Sequence, residues 1–232
     1  NIMLNNSTIK QIELTINYPN KDTILNNNEI YSSISSMVSP KLLPKRKDLD
    51  TKLIKQKIKT NDYVDNVNVG ITHTGILKIE VTQREPIVRV YTKQGKQYYI
   101  DNNLNIISTL QEKSANVIIA NGDILDIPSL KIDSLKNKES YQIWKLSKMI
   151  NDDSLLCYQI DQIYKERNDY ILIPKIGTYK ILLGQENDWK KELIKLHYLY
   201  KKAFVKYGWD NYTMINLKFN NQVVCTRKDD NN

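Results

Sequence analysis

The side chains able to do chemistry on their own are few and scattered. The cysteines are Cys157 and Cys225, and the histidines are His73 and His197. Zinc sites draw on closely spaced Cys and His pairs, and no such spacing occurs, so no metal ligand set is expected. The two thiols could pair only if their Cα atoms came within about 7 Å, which spacing alone leaves open; buried free thiols are the expectation. His197 falls beside an apolar helical stripe, where packing or a surface role is expected. His73 falls in a turn with no neighbouring carboxylate or nucleophile. Asp152-Asp153 and Asp229-Asp230 lie in loop or tail segments without the spacing of paired acid–base carboxylates. There is no phosphate loop, dinucleotide fingerprint or nucleophile elbow. No catalytic, cofactor-binding or metal-binding residue is assigned, and the chain reads as a binding or structural protein rather than an enzyme.

Bulk properties agree. The 232 residues carry 34 Lys and Arg against 26 Asp and Glu, a net charge of +8. A basic balance favours acidic partners. Here the lysines are spread along the chain, and the 26 Asn beside abundant Ile and Lys look like the codon bias of an AT-rich genome. The longest basic run, Lys45-Arg46-Lys47 after Pro44, reads as a solvated loop. Nucleic-acid binding, which would weaken steeply with salt, is a minor alternative, because Trp189, Tyr200 and Phe204 recur at helical spacing as core residues rather than as a base-stacking platform. The chain is long enough to bury a core without disulfide or metal staples. No apolar run approaches the roughly 20 residues that cross a bilayer, so soluble behaviour is expected. A first residue of Asn is expected to mark the loss of an amino-terminal piece.

Two halves with different patterning must position whatever site exists. In the first, Ile12, Leu14 and Ile16 alternate with polar residues, predicting a strand over Thr8 to Tyr18 that Pro19 ends. Ile30, Ile34, Met37 and Val38 follow helical spacing after a cap at Asn28. Asp48 is expected to cap a second helix with the stripe Leu49, Leu53, Ile54 and Ile58. Val67 to Ile71 and Leu77 to Val81 read as strands joined through His73-Thr74-Gly75, with Gly75 taking positive φ. The order strand-helix-helix-strand-strand suits two helices lying on one face of a three-stranded sheet.

The second half, from Pro86, is richer in strands. Val88 and Val90 alternate with Arg89 and Tyr91, Gly95 turns the chain, and Tyr98 to Asp101 returns. Val117 to Ala120 is a short apolar run, and Ile143, Leu146, Met149 and Ile150 predict a helix. Strands are expected at Leu156 to Lys165 and Tyr170 to Ile173, around an Asn168-Asp169 turn. Another follows at Tyr179 to Leu183, closed by Gly184. The clearest helix runs from Glu186 to Tyr207, with Gly208 as its stop. The last element is expected to be one long strand from Tyr212 to Arg227.

These residues carry a resemblance. The junction Val81-Thr82-Gln83-Arg84-Glu85-Pro86, followed by Gln97-Tyr98-Tyr99-Ile100-Asp101, looks like the FtsQ/DivIB cell-division family. There a POTRA module ends in an Arg-Glu-Pro-type segment and a β domain opens with a Tyr-x-Asp strand. The ending Ile215-Asn216-Leu217-Lys218-Phe219-Asn220-Asn221-Gln222-Val223-Val224 is similar to the family's last strand, particularly in its Bacteroidota branch. Leu104 departs from the pattern where many relatives have Gly, and Ser108 where Pro is common.

The resemblance implies an α+β protein: a POTRA domain (β-α-α-β-β) over 1–85, a strand-rich β domain with flanking helices over 86–228, and a disordered tail over 229–232. It implies a non-enzymatic divisome scaffold without cofactors, held in the inner membrane by a single helix absent from this chain, with this part periplasmic. Its implied partners are FtsB/FtsL-like bitopic proteins, not nucleic acid, and through them it helps license septal peptidoglycan synthesis. A terminal strand offers unpaired N–H and C=O groups to a partner strand, and sixteen residues would extend about 50 Å. The expected partner-binding residues are Lys218, Phe219, Asn220, Asn221, Gln222, Val223, Val224 and Cys225, with Phe219 either an interface anchor or a core residue. POTRA modules also occur in outer-membrane assembly and secretion factors that bind client strands, which is the other alternative.

Overall fold

A computed structural model describes residues 7–20, 22–39, 41, 43–109, 113–126, 138–186 and 189–228. The chain falls into two compact units, one of residues 1–85 with 110–115 and one of 86–109 with 116–232. The expected tail at 229–232 lies outside the described residues.

The first unit comprises β1 (Gln11–Asn17), α1 (Asn27–Ile34), α2 (Thr51–Ile58), β2 (Val64–Ile71) and β3 (Ile76–Gln83). The sheet order is β1-β3-β2, with β1 parallel and β2 antiparallel to β3. On central β3, Leu77, Ile79 and Val81 are buried while Lys78 and Glu80 are exposed. This period of two leaves one apolar face, and Ile30, Ile34, Ile54 and Ile58 of the helices are buried as well. The hairpin turns through Gly75 at φ +89, as expected.

The helix caps fall elsewhere than expected. Asn26, not Asn28, caps α1: its side chain accepts from Glu29 N and donates back to the Glu29 carboxylate, a reciprocal Asn-x-x-Glu box. Asp50, not Asp48, caps α2 by accepting from Lys52 N and Leu53 N, because Asp48 is taken up in a 3-10 turn, Arg46–Asp48. Leu53 is left exposed, so the α2 stripe is narrower than its pattern suggested. Gln83 is fully buried at the end of β3; its Oε1 accepts from Ile24 N and Leu25 N, and its Nε2 donates to Asp22 O. That amide holds the chain entering α1. Lys113 adds a strap to the same unit, donating to Ile24 O and pairing with Glu29.

The second unit contains β4 (Pro86–Tyr91), β5 (Gln97–Asp101), β6 (Ile106–Ser108), β7 (Ile118–Gly122), α3 (Lys138–Asn151), α4 (Leu156–Gln159), β8 (Ile160–Glu166), β9 (Asp169–Pro174), β10 (Lys180–Gly184), α5 (Trp189–Tyr198), β11 (Tyr212–Asn216) and β12 (Val224–Arg227). They form a nine-stranded sheet in the order β12-β11-β10-β9-β8-β7-β4-β5-β6. The neighbours β4/β7, β7/β8 and β10/β11 are parallel. Parallel neighbours need long crossovers; the first passes through β5 and β6, and the other two are supplied by α3 with α4 and by α5. Their buried stripes, Ile143, Leu146 and Ile150 on α3 and Trp189, Leu193 and Leu196 on α5, join the core of the sheet. Beyond Tyr198 the helix continues through a π turn, Leu199–Phe204, to Tyr207, and stops at Gly208 with φ +70.

Four expectations need correction here. Strand β6 was not foreseen. Leu156–Gln159 is a helical turn rather than the start of β8, because the Asp153 carboxylate accepts from Leu155 N and Leu156 N and caps it. Glu186 stands in a bend ahead of the helix, whose described part begins at Trp189. The long carboxy-terminal strand is broken in two.

Candidate partner-binding site

The break in the last strand reshapes the candidate site. β11 and β12 are an antiparallel pair, Asn216 opposite Val224 and Ile215 opposite Cys225. The alternation of Ile215, Leu217 and Phe219 suggested a continuous strand, but Asn220-Asn221 reverses the chain, and Asn221 adopts φ +58. Asparagine tolerates that left-handed conformation better than most residues, so the turn pair was the signal that could have shown the hairpin. Of the eight expected residues, Val224 and Cys225 lie on β12 and Lys218 to Val223 form the connection. Thr226 and Arg227, not anticipated, complete the strand. The edge is therefore four residues long, about 13 Å rather than 50 Å.

β12 is the outermost strand at one end of the nine-stranded sheet, so one side of it carries no strand partner among the described residues. Phe219 is 45% exposed at the turn, and Val224 is 40% exposed at the start of β12. Leu217 is completely buried. The core alternative for Phe219 thus fails: the buried apolar anchor of this segment is Leu217, two residues earlier. Burial pushes the Cys225 thiol up, which keeps it protonated and a poor nucleophile. Both cysteines are free and half-buried rather than buried.

The turn is built onto its neighbours. Leu217 N donates to Leu182 O of β10, the last backbone bond before the chain leaves the sheet. Lys218 N donates to Asn216 Oδ1, and Lys218 Nζ pairs with Asp169 Oδ2 at 3.1 Å. From α5, Lys195 Nζ donates to Leu217 O at 2.6 Å and to Phe219 O at 3.0 Å.

The other candidate groups have structural work. His197 Nδ1 lies 2.9 Å from both oxygens of Asp153, the residue that caps α4. Burial pushes the Asp153 carboxyl up, but the backbone donors of Leu156 and Leu155 and the imidazole outweigh it and hold it below its ordinary value. His73 is exposed in its hairpin turn. Trp189, Tyr200 and Phe204 are core, and Tyr200 shares a 2.7 Å hydroxyl bond with Tyr179; burial pushes both phenols up. A polar cleft of about 330 Å³ lies between α3 and β8. Its groups pair with one another, Lys165 with Glu139 and Tyr170 with Gln142, leaving little for a ligand. Among the described residues no cluster of His, Cys, Asp and Glu could hold a metal ion.

Residues 85–226, more than half of the chain and including the β11–β12 hairpin, match the family model described as FtsQ/DivIB, C-terminal related. The chain belongs to this family. FtsQ/DivIB proteins are cell-division proteins, generally non-enzymatic, membrane-anchored and working with protein partners, which gives the nine-stranded unit a divisome context. No curated protein matches the chain. Among the described residues no helix is long and apolar enough to cross a membrane.

Proposed function

We propose that this chain is the periplasmic part of a non-enzymatic divisome scaffold, anchored in the inner membrane by a single helix outside this sequence. In this reading it captures FtsB/FtsL-like bitopic proteins on β12 and the Phe219 turn, and so helps control septal peptidoglycan synthesis. The first unit serves as a POTRA module. Its strand-helix-helix-strand-strand order, with β3 central in a mixed sheet, supports that assignment.

One observation carries the binding reading: among the described residues the outermost strand of the family-matched sheet has no strand on one side, with Phe219 and Val224 exposed beside it. An edge strand offers main-chain hydrogen bonds for affinity and neighbouring side chains for specificity. Only four residues long, it also resists indiscriminate pairing, so apolar anchors beside it must supply much of the affinity.

The test is titration of the protein with the extracytoplasmic segment of the FtsB-like protein from the same organism. Phe219→Ala should weaken binding by about 2 kcal/mol, roughly thirtyfold, with little change in melting temperature, because the ring is half exposed. Unchanged affinity after deletion of Phe219 to Asn232, with the rest still folded, would falsify the assignment.

A further inference from the structure

Lys195 sits in a place that ordinary packing does not call for. It lies on α5, outside the eight residues of the candidate site, and its side chain is only 19% exposed. An ammonium has three N–H donors and no acceptor. Here they meet Leu217 O at 2.6 Å, Phe219 O at 3.0 Å and Glu192 Oε1 at 3.5 Å. The two carbonyls flank Lys218, whose own ammonium is tied to Asp169 on β9. Two lysines thus pin the segment immediately after it leaves the sheet.

The pinned segment is the one that carries Phe219. After Leu217 N bonds Leu182 O, the chain leaves the β10 ladder, with the Lys218 stem passing over Gly184, and the β12 ladder resumes only at Val224. A connection of this kind is otherwise free to sample many conformations, and ordering it on binding costs affinity. Bonding the carbonyl of Phe219 itself places the ring's own backbone at a set point relative to α5.

We propose that Lys195 is a positioning residue for partner capture, holding the β11–β12 turn in its binding conformation before a partner arrives. The inference rests on the reading of this turn as a docking feature. The substrate of the latch is main chain, so it tolerates any side-chain sequence in the turn while fixing its path. Lysine suits the task because one flexible cation can reach two carbonyls that diverge.

The experiment pairs hydrogen exchange with binding. Lys195→Met keeps the aliphatic stem and removes the donors; combining it with Glu192→Gln avoids an orphaned carboxylate. In both variants the amides of Leu217 to Val224 should exchange about tenfold faster, while those of β10 and the remainder of α5 stay unchanged. Affinity for the FtsB-like segment should fall about fivefold, the scale expected for re-ordering a released turn. Lys195→Arg, which keeps charged donors, should recover most of both effects. Unchanged exchange in the turn overturns the proposal, even if affinity falls, because Lys195 would then be touching the partner directly. Faster exchange with unchanged affinity overturns it too, since the latch would be structural only. Failure of the docking reading itself shows differently: Phe219→Ala would leave affinity intact while the exchange response to Lys195→Met remained.

Discussion

At Leu104 the backbone and the side chain pull in opposite directions. The residue sits at φ +63 in the β5–β6 turn, where Asp101 accepts from Asn103 N and Asn105 N. A left-handed conformation costs an L-residue about 1 kcal/mol, and the half-buried Leu side chain returns a similar amount by packing on the core. Leu104→Ala keeps the strain and loses the packing, so it should cost about 1 kcal/mol. Leu104→Gly loses both and should be close to neutral. Chemical denaturation of the two variants should therefore rank Gly above Ala, the reverse of their order in a helix or strand. Equal stability of the two would mean that the turn relaxes out of the left-handed region. The resemblance placed a Gly at this position, and a φ of +63 is a conformation that Gly adopts without strain.

Among the elements, the entry of α4 is held by one carboxylate, that of Asp153. Leu156 to Gln159 alternates well enough to pass as strand, yet Asp153 satisfies two of the backbone donors that open the helical turn and also grips His197 on α5. Removing that cap in Asp153→Ala should cost about 1–2 kcal/mol. The carboxyl is held below its ordinary value in the folded chain. A depressed carboxyl contributes stability that is present above its unfolded pKa and lost as pH falls through the folded one. Denaturant midpoints should thus drop from about pH 4 downward, and part of that drop should vanish in Asp153→Ala. An acid limb identical in the variant would assign the dependence to other carboxylates. The π turn after Tyr198 lies on the same helix; its regular 3.6-residue stripe of Trp189, Leu193, Leu196, Tyr200 and Phe204 shows no trace of the insertion, since all five are buried either way.

For the whole molecule the question is whether the units are autonomous. We expect residues 86–228 to melt cooperatively alone, given their continuous core, and residues 1–85 to do so as well. The shorter piece should be the weaker one. It lacks Lys113, which within the first unit braces Ile24 O and Glu29, so it should melt several degrees below the same unit in the intact chain. A non-cooperative or disordered 1–85 product would show that the junction at Glu85 and Pro86 is not a folding boundary. Calorimetry of both pieces beside the full chain decides it.

What the sequence by itself determined was local: strand and helix identity wherever periodicity was strong, as in β3 and α5, and the positive-φ stops at Gly75 and Gly208. Those features depend on a few neighbouring residues and one buried face, so their pattern is written in the chain. The family signature was also local, carried by short segments such as Arg84-Glu85-Pro86 and Tyr98 to Asp101. The tertiary structure decided the rest. The burial of Leu217 in place of Phe219, the placing of β12 at the end of the described sheet and the reach of Lys195 from α5 to the turn all depend on groups far apart in sequence. Alternation reports which residues share a face, but not where a strand stops being worth extending. That is settled by which groups meet the backbone next: β10 runs on to Gly184, but the carbonyls of Leu217 and Phe219 are taken by Lys195 of α5.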